Sequence, residues 1–146
     1  MLFRSFAVFV TAMTAGRFVG TGLIDRYGRV VVLWATMALA GAGVLLIVFS
    51  DHLALVVLGI VLWGVGSSLG FPVGMSAAAD DPLRAAARVS VVSTIGYAAF
   101  LAGPPFLGFV GDHVGTLKAL LVVAFLLLPA ALVVPSAREQ RVRQDA

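Results

Sequence analysis

The chain has 146 residues, of which 61% are hydrophobic and only 12% charged, with a mean hydropathy of +1.08. A soluble domain carries roughly 25% charged residues, and here the net charge of +3 comes from basic residues scattered between apolar runs, in a chain with no cysteine. A soluble enzyme, a nucleic-acid-binding domain, a disordered chain and any disulfide or thiolate chemistry are thereby excluded; the composition is that of an all-α integral membrane protein.

A helix needs about 20 apolar residues to cross a hydrocarbon core about 30 Å thick, and five such stretches follow one another. The first predicted span covers residues 6–24 and closes on the polar turn Asp25-Arg26-Tyr27-Gly28-Arg29. Its apolar character runs on to Ile24 with no A-x-A cleavage pattern, which favours a span over a signal peptide. The second span, 30–49, stops at Ser50-Asp51-His52, and the third, 53–79, is long enough to tilt or bend, with Pro72 near its end. A charged loop over 80–88 leads to the fourth span, 89–111, and the fifth covers 117–134. Residues 1–135 thus read as one five-helix membrane domain and 136–146 as a basic tail.

Orientation follows from the Lys/Arg asymmetry. One set of helix ends holds Arg26, Arg29, Arg84, Arg88, Arg138, Arg141 and Arg143, whereas the other holds only Arg4 and Lys118. The expectation is a multi-pass protein of the cytoplasmic (inner) membrane with its N-terminus outside and its C-terminal tail in the cytoplasm. His52 and His113 lie alone in short turns with no ligand partner at metal-site spacing, so no metal and no cofactor is expected. With a single glutamate, Glu139 in the tail, and no catalytic pair, the chain does not read as an enzyme.

Helical angles at 100° per residue sort the spans into two kinds. In the first, Thr14, Arg17 and Thr21 share a face; in the third, Trp63 and Ser67 share one with Gly59, Gly66, Gly70 and Gly74; in the fourth, Ser93, Thr94 and Tyr97 lie with Ser90, Pro104 and Gly108. These faces suit protein or a water-filled cavity, so the named hydroxyl, aromatic and arginine side chains are the candidate cavity lining. Small residues at i, i+4 spacing also let helix backbones approach closely, and packing is the favoured role of the glycines. The second and fifth spans have no polar stripe and read as lipid-facing. Pro72 and the run Gly103-Pro104-Pro105 each interrupt the backbone ladder within a span and are the expected kinks.

Arg17 lies eight positions before Asp25, about 12 Å deeper along a helix. An intramembrane charge is costly and by default marks a functional site; the competing role is an arginine snorkelling its guanidinium toward the basic end. No other charged residue lies at that depth in these spans.

Gly22-Leu23-Ile24-Asp25-Arg26-Tyr27-Gly28-Arg29 resembles the cytoplasmic-loop signature of the major facilitator superfamily, G-x-L-x-D-R-x-G-R-K. Leu23, Asp25, Arg26, Gly28 and Arg29 match in place; Thr21 stands at the pattern's first glycine and Val30 at its last basic residue. Gly66-Ser67-Ser68-Leu69-Gly70-Phe71-Pro72 and Ser93-Thr94-Ile95-Gly96-Tyr97, with Gly103-Pro104-Pro105 and Gly108 beyond it, resemble helices of its sugar-permease-like branches. The second of these is also similar to the antiporter motif G-P-x-x-G-G, with Phe109 in place of the last glycine. The resemblance implies a gating loop of Asp25, Arg26, Gly28 and Arg29, in which the carboxylate caps the next helix.

Members of that superfamily have twelve helices in two halves, each made of two inverted three-helix repeats. The signature's place, with three spans after it, implies that these five are helices eight to twelve: part of the C-terminal half of the fold. The implied partners are the lipid bilayer, a small-molecule substrate and the missing N-terminal half or a partner chain, with no nucleic acid. Transport by this chain alone is then not expected. The alternative is a small five-span protein serving as an assembly or anchoring partner.

Overall fold

The computed structural model describes residues 2–138; of the expected basic tail, everything from position 139 onward lies outside the described residues. The chain folds as α1 (Leu2–Tyr27), α2 (Arg29–Phe49), α3 (Leu53–Gly66), α4 (Gly70–Ala78), α5 (Ala85–Val114) and α6 (Thr116–Val133), closed by a 3-10 turn over Val134–Ala137. α3 and α4 are two halves of one pass, so the bundle has five passes, each long and apolar enough to cross a membrane. The fold is all-α, as the composition requires.

Single glycines make two of the connections. Gly28, at φ 81° and ψ 157°, is the whole link between α1 and α2. Its N–H still donates to the Ile24 carbonyl at 2.8 Å, so the helix closes its last turn and the next residue begins another. Gly115 does the same between α5 and α6, at φ 92° and ψ 144°, with its N–H on the Gly111 carbonyl at 2.8 Å. That region of the backbone map is open essentially to glycine alone. An aspartate stands three residues before each glycine, Asp25 and Asp112. The two helical hairpins are thus alike in their turns and lie at opposite ends of the bundle.

The third pass breaks at Ser67–Leu69, ahead of Pro72. Pro72 is the third residue of α4, where its missing N–H would have had no acceptor within the helix. The break is filled from α1: a Cβ added at Gly16 would lie 2.7 Å from Ser68 Oγ, and one at Gly20 2.5 Å from Leu69 Cδ1. Ser68 satisfies its buried hydroxyl on the Val65 carbonyl at 2.6 Å. Pro104 and Pro105 lie within α5, which continues to Val114.

α2, expected to be lipid-facing, is the packing centre of the chain along one face, while Val31, Trp34, Leu45 and Phe49 on it stay exposed. Val32, Leu33, Thr36, Ala40, Gly43, Val44 and Ile47 form its buried face. Gly43 approaches α3 so closely that an added Cβ would meet Trp63 N at 2.5 Å and the Gly59 carbonyl at 2.6 Å, and at Gly66 one would meet Ala40 N at 2.3 Å. The absence of polar residues misleads here because helices in lipid associate through small residues as readily as through polar ones. α3 packs against both α1 and α2, and α6 against α2 and α5. α5 has no buried residue and touches only α6 and α4 among the described helices. Its α4 contacts include Ser93 Oγ at 3.6 Å from Met75 Sδ, and a Cβ added at Gly96 would meet the Phe71 ring.

Candidate functional site

The turn at Gly28 brings the end of α1 and the start of α2 beside the end of α4. There Val32, Leu33, Leu69, Val73, Val134 and Ala137 form a small apolar core, and the charged groups gather around it. Arg29 leaves the first position of α2 and its Nη1 donates to Asp80 Oδ2 at 2.5 Å, just past α4. Its Nη2 donates to Ser76 Oγ at 3.1 Å. The two charged side chains are only 15% and 22% exposed, so the pair is shielded from solvent and bolts α2 to the end of the third pass. Arg88, in the first turn of α5, stands 3.6 Å from Asp81, and the Asp81 carboxylate also accepts the Leu83 N–H at 3.1 Å. Arg26 lies over the Tyr27 ring, 5.5 Å from its centroid.

Beside this pair a cavity of about 380 Å³ opens between α1 and α4, lined by Arg17, Thr21, Asp25, Arg29, Ser76 and apolar groups including Pro72. Asp25 does not cap α2, whose N-cap is Gly28 with no side-chain bond. Instead its carboxylate faces the cavity, and neither it nor Arg17 has a hydrogen-bonding or ionic partner among the described residues. Among the described residues, the cavity therefore holds one positive and one negative group without a partner, both on α1 and two turns apart.

The candidate lining residues named from sequence divide among several places. Arg17 and Thr21 line the cavity just described. Trp63 and Ser67 line a different, larger space between α2, α4, α5 and α6, and Trp63 packs on Phe9 with ring centroids 5.0 Å apart. Thr14, Thr21 and Thr94 turn their hydroxyls back on the Val10, Phe18 and Ser90 carbonyls of their own helices. Ser93 faces Met75, and Tyr97 is exposed on α5. A Cβ added at Gly103 would meet no neighbouring group within 4 Å. Sequence reasoning missed Asp80 and Ser76 as partners of Arg29. The available signal was an acidic residue at the start of the loop that ends the third span, at the same end of the bundle as the Arg29 turn.

The family model described as Major Facilitator Superfamily matches residues 5–145, and the chain belongs to that superfamily of membrane transporters. It is 34% identical over 127 residues to an uncharacterized MFS-type transporter of Yersinia pestis, covering 86% of this chain and 33% of the relative. It is 31% identical to the membrane protein MosC of Rhizobium meliloti, covering 81% of this chain and 29% of MosC. An uncharacterized transporter of Sinorhizobium fredii is 35% identical, over 71% of this chain and 28% of its own length. The chain therefore spans about a third of the length of the curated relatives it matches. No solved structure matches it.

Proposed function

We propose that this chain is helices eight to twelve of a secondary transporter that moves a small solute, a sugar or a drug-like compound, across the cytoplasmic membrane. The observation that carries the reading is the loop: Asp25, Arg26, Gly28 and Arg29 sit at a one-residue glycine turn, with Arg29 tied to Asp80 and Asp25 left open to a cavity. A gate needs one half of its charges fixed and the other half free to be engaged and released. Arg29–Asp80 is the fixed part, and Asp25 is the free part, available to a surface outside this chain. The arginine-rich end is the cytoplasmic side by the positive-inside rule. Arg17, in mid-span and without a partner among the described residues, faces the pathway as the group that meets substrate or a counter-charge from the rest of the transporter.

Transport works by moving one half of such a protein against the other around a midplane site, so the third of the length present here is inactive by itself. Uptake into proteoliposomes tests the reading. The chain replaces the matching third of the Yersinia relative, and a panel of labelled monosaccharides and amphiphilic drug-like compounds is offered. Uptake of at least one compound, lost on Arg17→Gln, is the expected result; uptake that survives Arg17→Gln undiminished refutes the role given to Arg17. No uptake of any compound, from a graft that inserts and folds, counts against the transporter reading.

A further inference from the structure

Arg17, Thr21 and Asp25 follow one another at intervals of four residues on α1, and all three line the cavity between α1 and α4. Four residues of helix advance about 6 Å, so the cavity presents a guanidinium, a hydroxyl and a carboxylate in series over about 12 Å. Leu69, Pro72 and Val73 supply apolar surface to the same cavity, and Ser76 supplies a second hydroxyl. Its volume, about 380 Å³, suits one small organic molecule.

Each polar group has a definite capacity left. Arg17 makes no hydrogen bond or ion pair among the described residues, so its fork of N–H donors is wholly available. Thr21 gives its proton to the Phe18 carbonyl at 3.0 Å and keeps its oxygen as an acceptor. Ser76 accepts from Arg29 at 3.1 Å and keeps its proton to donate. Asp25 is an acceptor without a partner among the described residues. Arg29 also lines the cavity, but its charge is taken up by Asp80. The cavity thus offers one positive charge at its deep end and one negative charge at its arginine-rich end, with hydroxyls between or beside them.

A guanidinium stays ionised throughout the physiological pH range, and at membrane depth a charge persists where something compensates it. No acidic residue of the five spans lies at the depth of Arg17. A fixed counter-charge would meet the arginine alone and make no use of the polar groups that follow it at one-turn intervals. A single ligand uses them all. We propose that the solute is a small polyhydroxylated monocarboxylate, a sugar acid. Its carboxylate takes the two-pronged bond from Arg17, its hydroxyls donate to Thr21 and Asp25 and accept from Ser76, and its C–H edges lie on Leu69, Pro72 and Val73. Asp25 sets the charge of the solute, because a second carboxylate at that end would face a like charge. A neutral sugar, in turn, leaves the guanidinium uncompensated. This solute class rests on the transporter reading and narrows it: the sugar acid ranks above its parent sugar, and amphiphilic drug-like compounds fall away.

The test uses the chain grafted into the Yersinia relative and purified in detergent, with radiolabelled gluconate as the probe and scintillation proximity as the readout. Saturable binding is expected, with glucose and the dicarboxylate glucarate displacing the label at least about tenfold more weakly than unlabelled gluconate does. Arg17→Gln should weaken gluconate binding by at least about tenfold, and Arg17→Lys, which keeps the charge but not the fork, by less. Asp25→Asn should bring glucarate close to gluconate. The proposal is overturned if glucose displaces the label as well as gluconate, if gluconate binds the Arg17→Gln graft undiminished, or if a folded graft binds no gluconate. Where Arg17→Gln does not fold, Arg17→Lys decides in its place: a reduced preference for gluconate over glucose is expected, and an unchanged preference overturns the proposal. A graft that carries glucose or an amphiphilic compound but binds no gluconate contradicts this solute class alone. One that binds gluconate through Arg17 yet moves no solute contradicts the transporter reading alone.

Discussion

Arg29 Nη1 and Asp80 Oδ2 stand 2.5 Å apart across 51 residues of sequence, joining the start of α2 to the end of the third pass. Arg29 belongs to the turn that carries the family signature and Asp80 to the loop after α4, and Ser76 Oγ also accepts from the arginine. The pair explains why the signature needs an arginine immediately after its glycine. The glycine turn aims the first side chain of α2 at α4, and only a guanidinium can reach a carboxylate and a hydroxyl there at once.

Breaking the pair should be costly because both groups are mostly shielded. Asp80→Asn or Arg29→Gln is expected to lower stability by about 1–3 kcal/mol, the range for a charge-assisted bond with a partner left behind. Asp81→Asn, which loosens only the longer contact to the more exposed Arg88, should cost under about 1 kcal/mol. Thermal unfolding in detergent, followed by size-exclusion chromatography of the heated samples, ranks the three.

Gly28, which matches the signature, and Gly22, which falls on one of its unspecified positions, should differ on substitution. Gly28 has a positive φ that an L side chain adopts only with strain, so Gly28→Ala is expected to destabilise by about 1–3 kcal/mol. Gly22 lies inside α1 with nothing within 4 Å of an added Cβ, so Gly22→Ala should be neutral or stabilising by up to about 1 kcal/mol. The same thermal assay separates them, and Gly115→Ala should behave like Gly28→Ala.

The α2–α3 seam depends on backbone contact. Gly43→Ala would place its Cβ against Trp63 N and the Gly59 carbonyl, neither of which can rotate away, so the helices must part and bury less surface. A loss of about 1–3 kcal/mol is expected. Gly70→Ala, with open space around it, should cost nothing in the isolated chain. Equal stability of the two variants would contradict the close approach of α2 and α3.

Orientation is open to a fusion test. Green fluorescent protein joined after Ala146 should fluoresce, and alkaline phosphatase joined there should be inactive, if the arginine-rich ends lie in the cytoplasm as proposed. The reverse pattern would place the Asp25–Arg29 loop on the wrong side for a cytoplasmic gate.

Much of this was legible in the residues. Hydropathy alone gives five passes, and the run from Gly22 to Arg29 identifies the family because its spacing is dictated by a one-residue turn. What hydropathy could not supply was which apolar faces meet. α2 has no polar stripe and reads as lipid-facing, yet Ala40, Gly43 and Ile47 are buried because close packing in lipid selects for size and not polarity. Pro72 reads as a kink from its own span, but the filling of the Ser67–Leu69 break ahead of it by the α1 face at Gly16 and Gly20 has no signal there. A contact between distant segments leaves no trace in either segment's own periodicity. The same holds for Asp80, whose role appears only when Arg29 is seen beside it.

The central claim is that this chain is one part of a transporter whose pathway is made with the rest. It is tested most directly by solute uptake into proteoliposomes containing the isolated 146-residue chain, beside vesicles containing the same chain grafted into its Yersinia relative. The account predicts no uptake above empty vesicles for the isolated chain and saturable uptake for the graft. Saturable uptake by the isolated chain would contradict it.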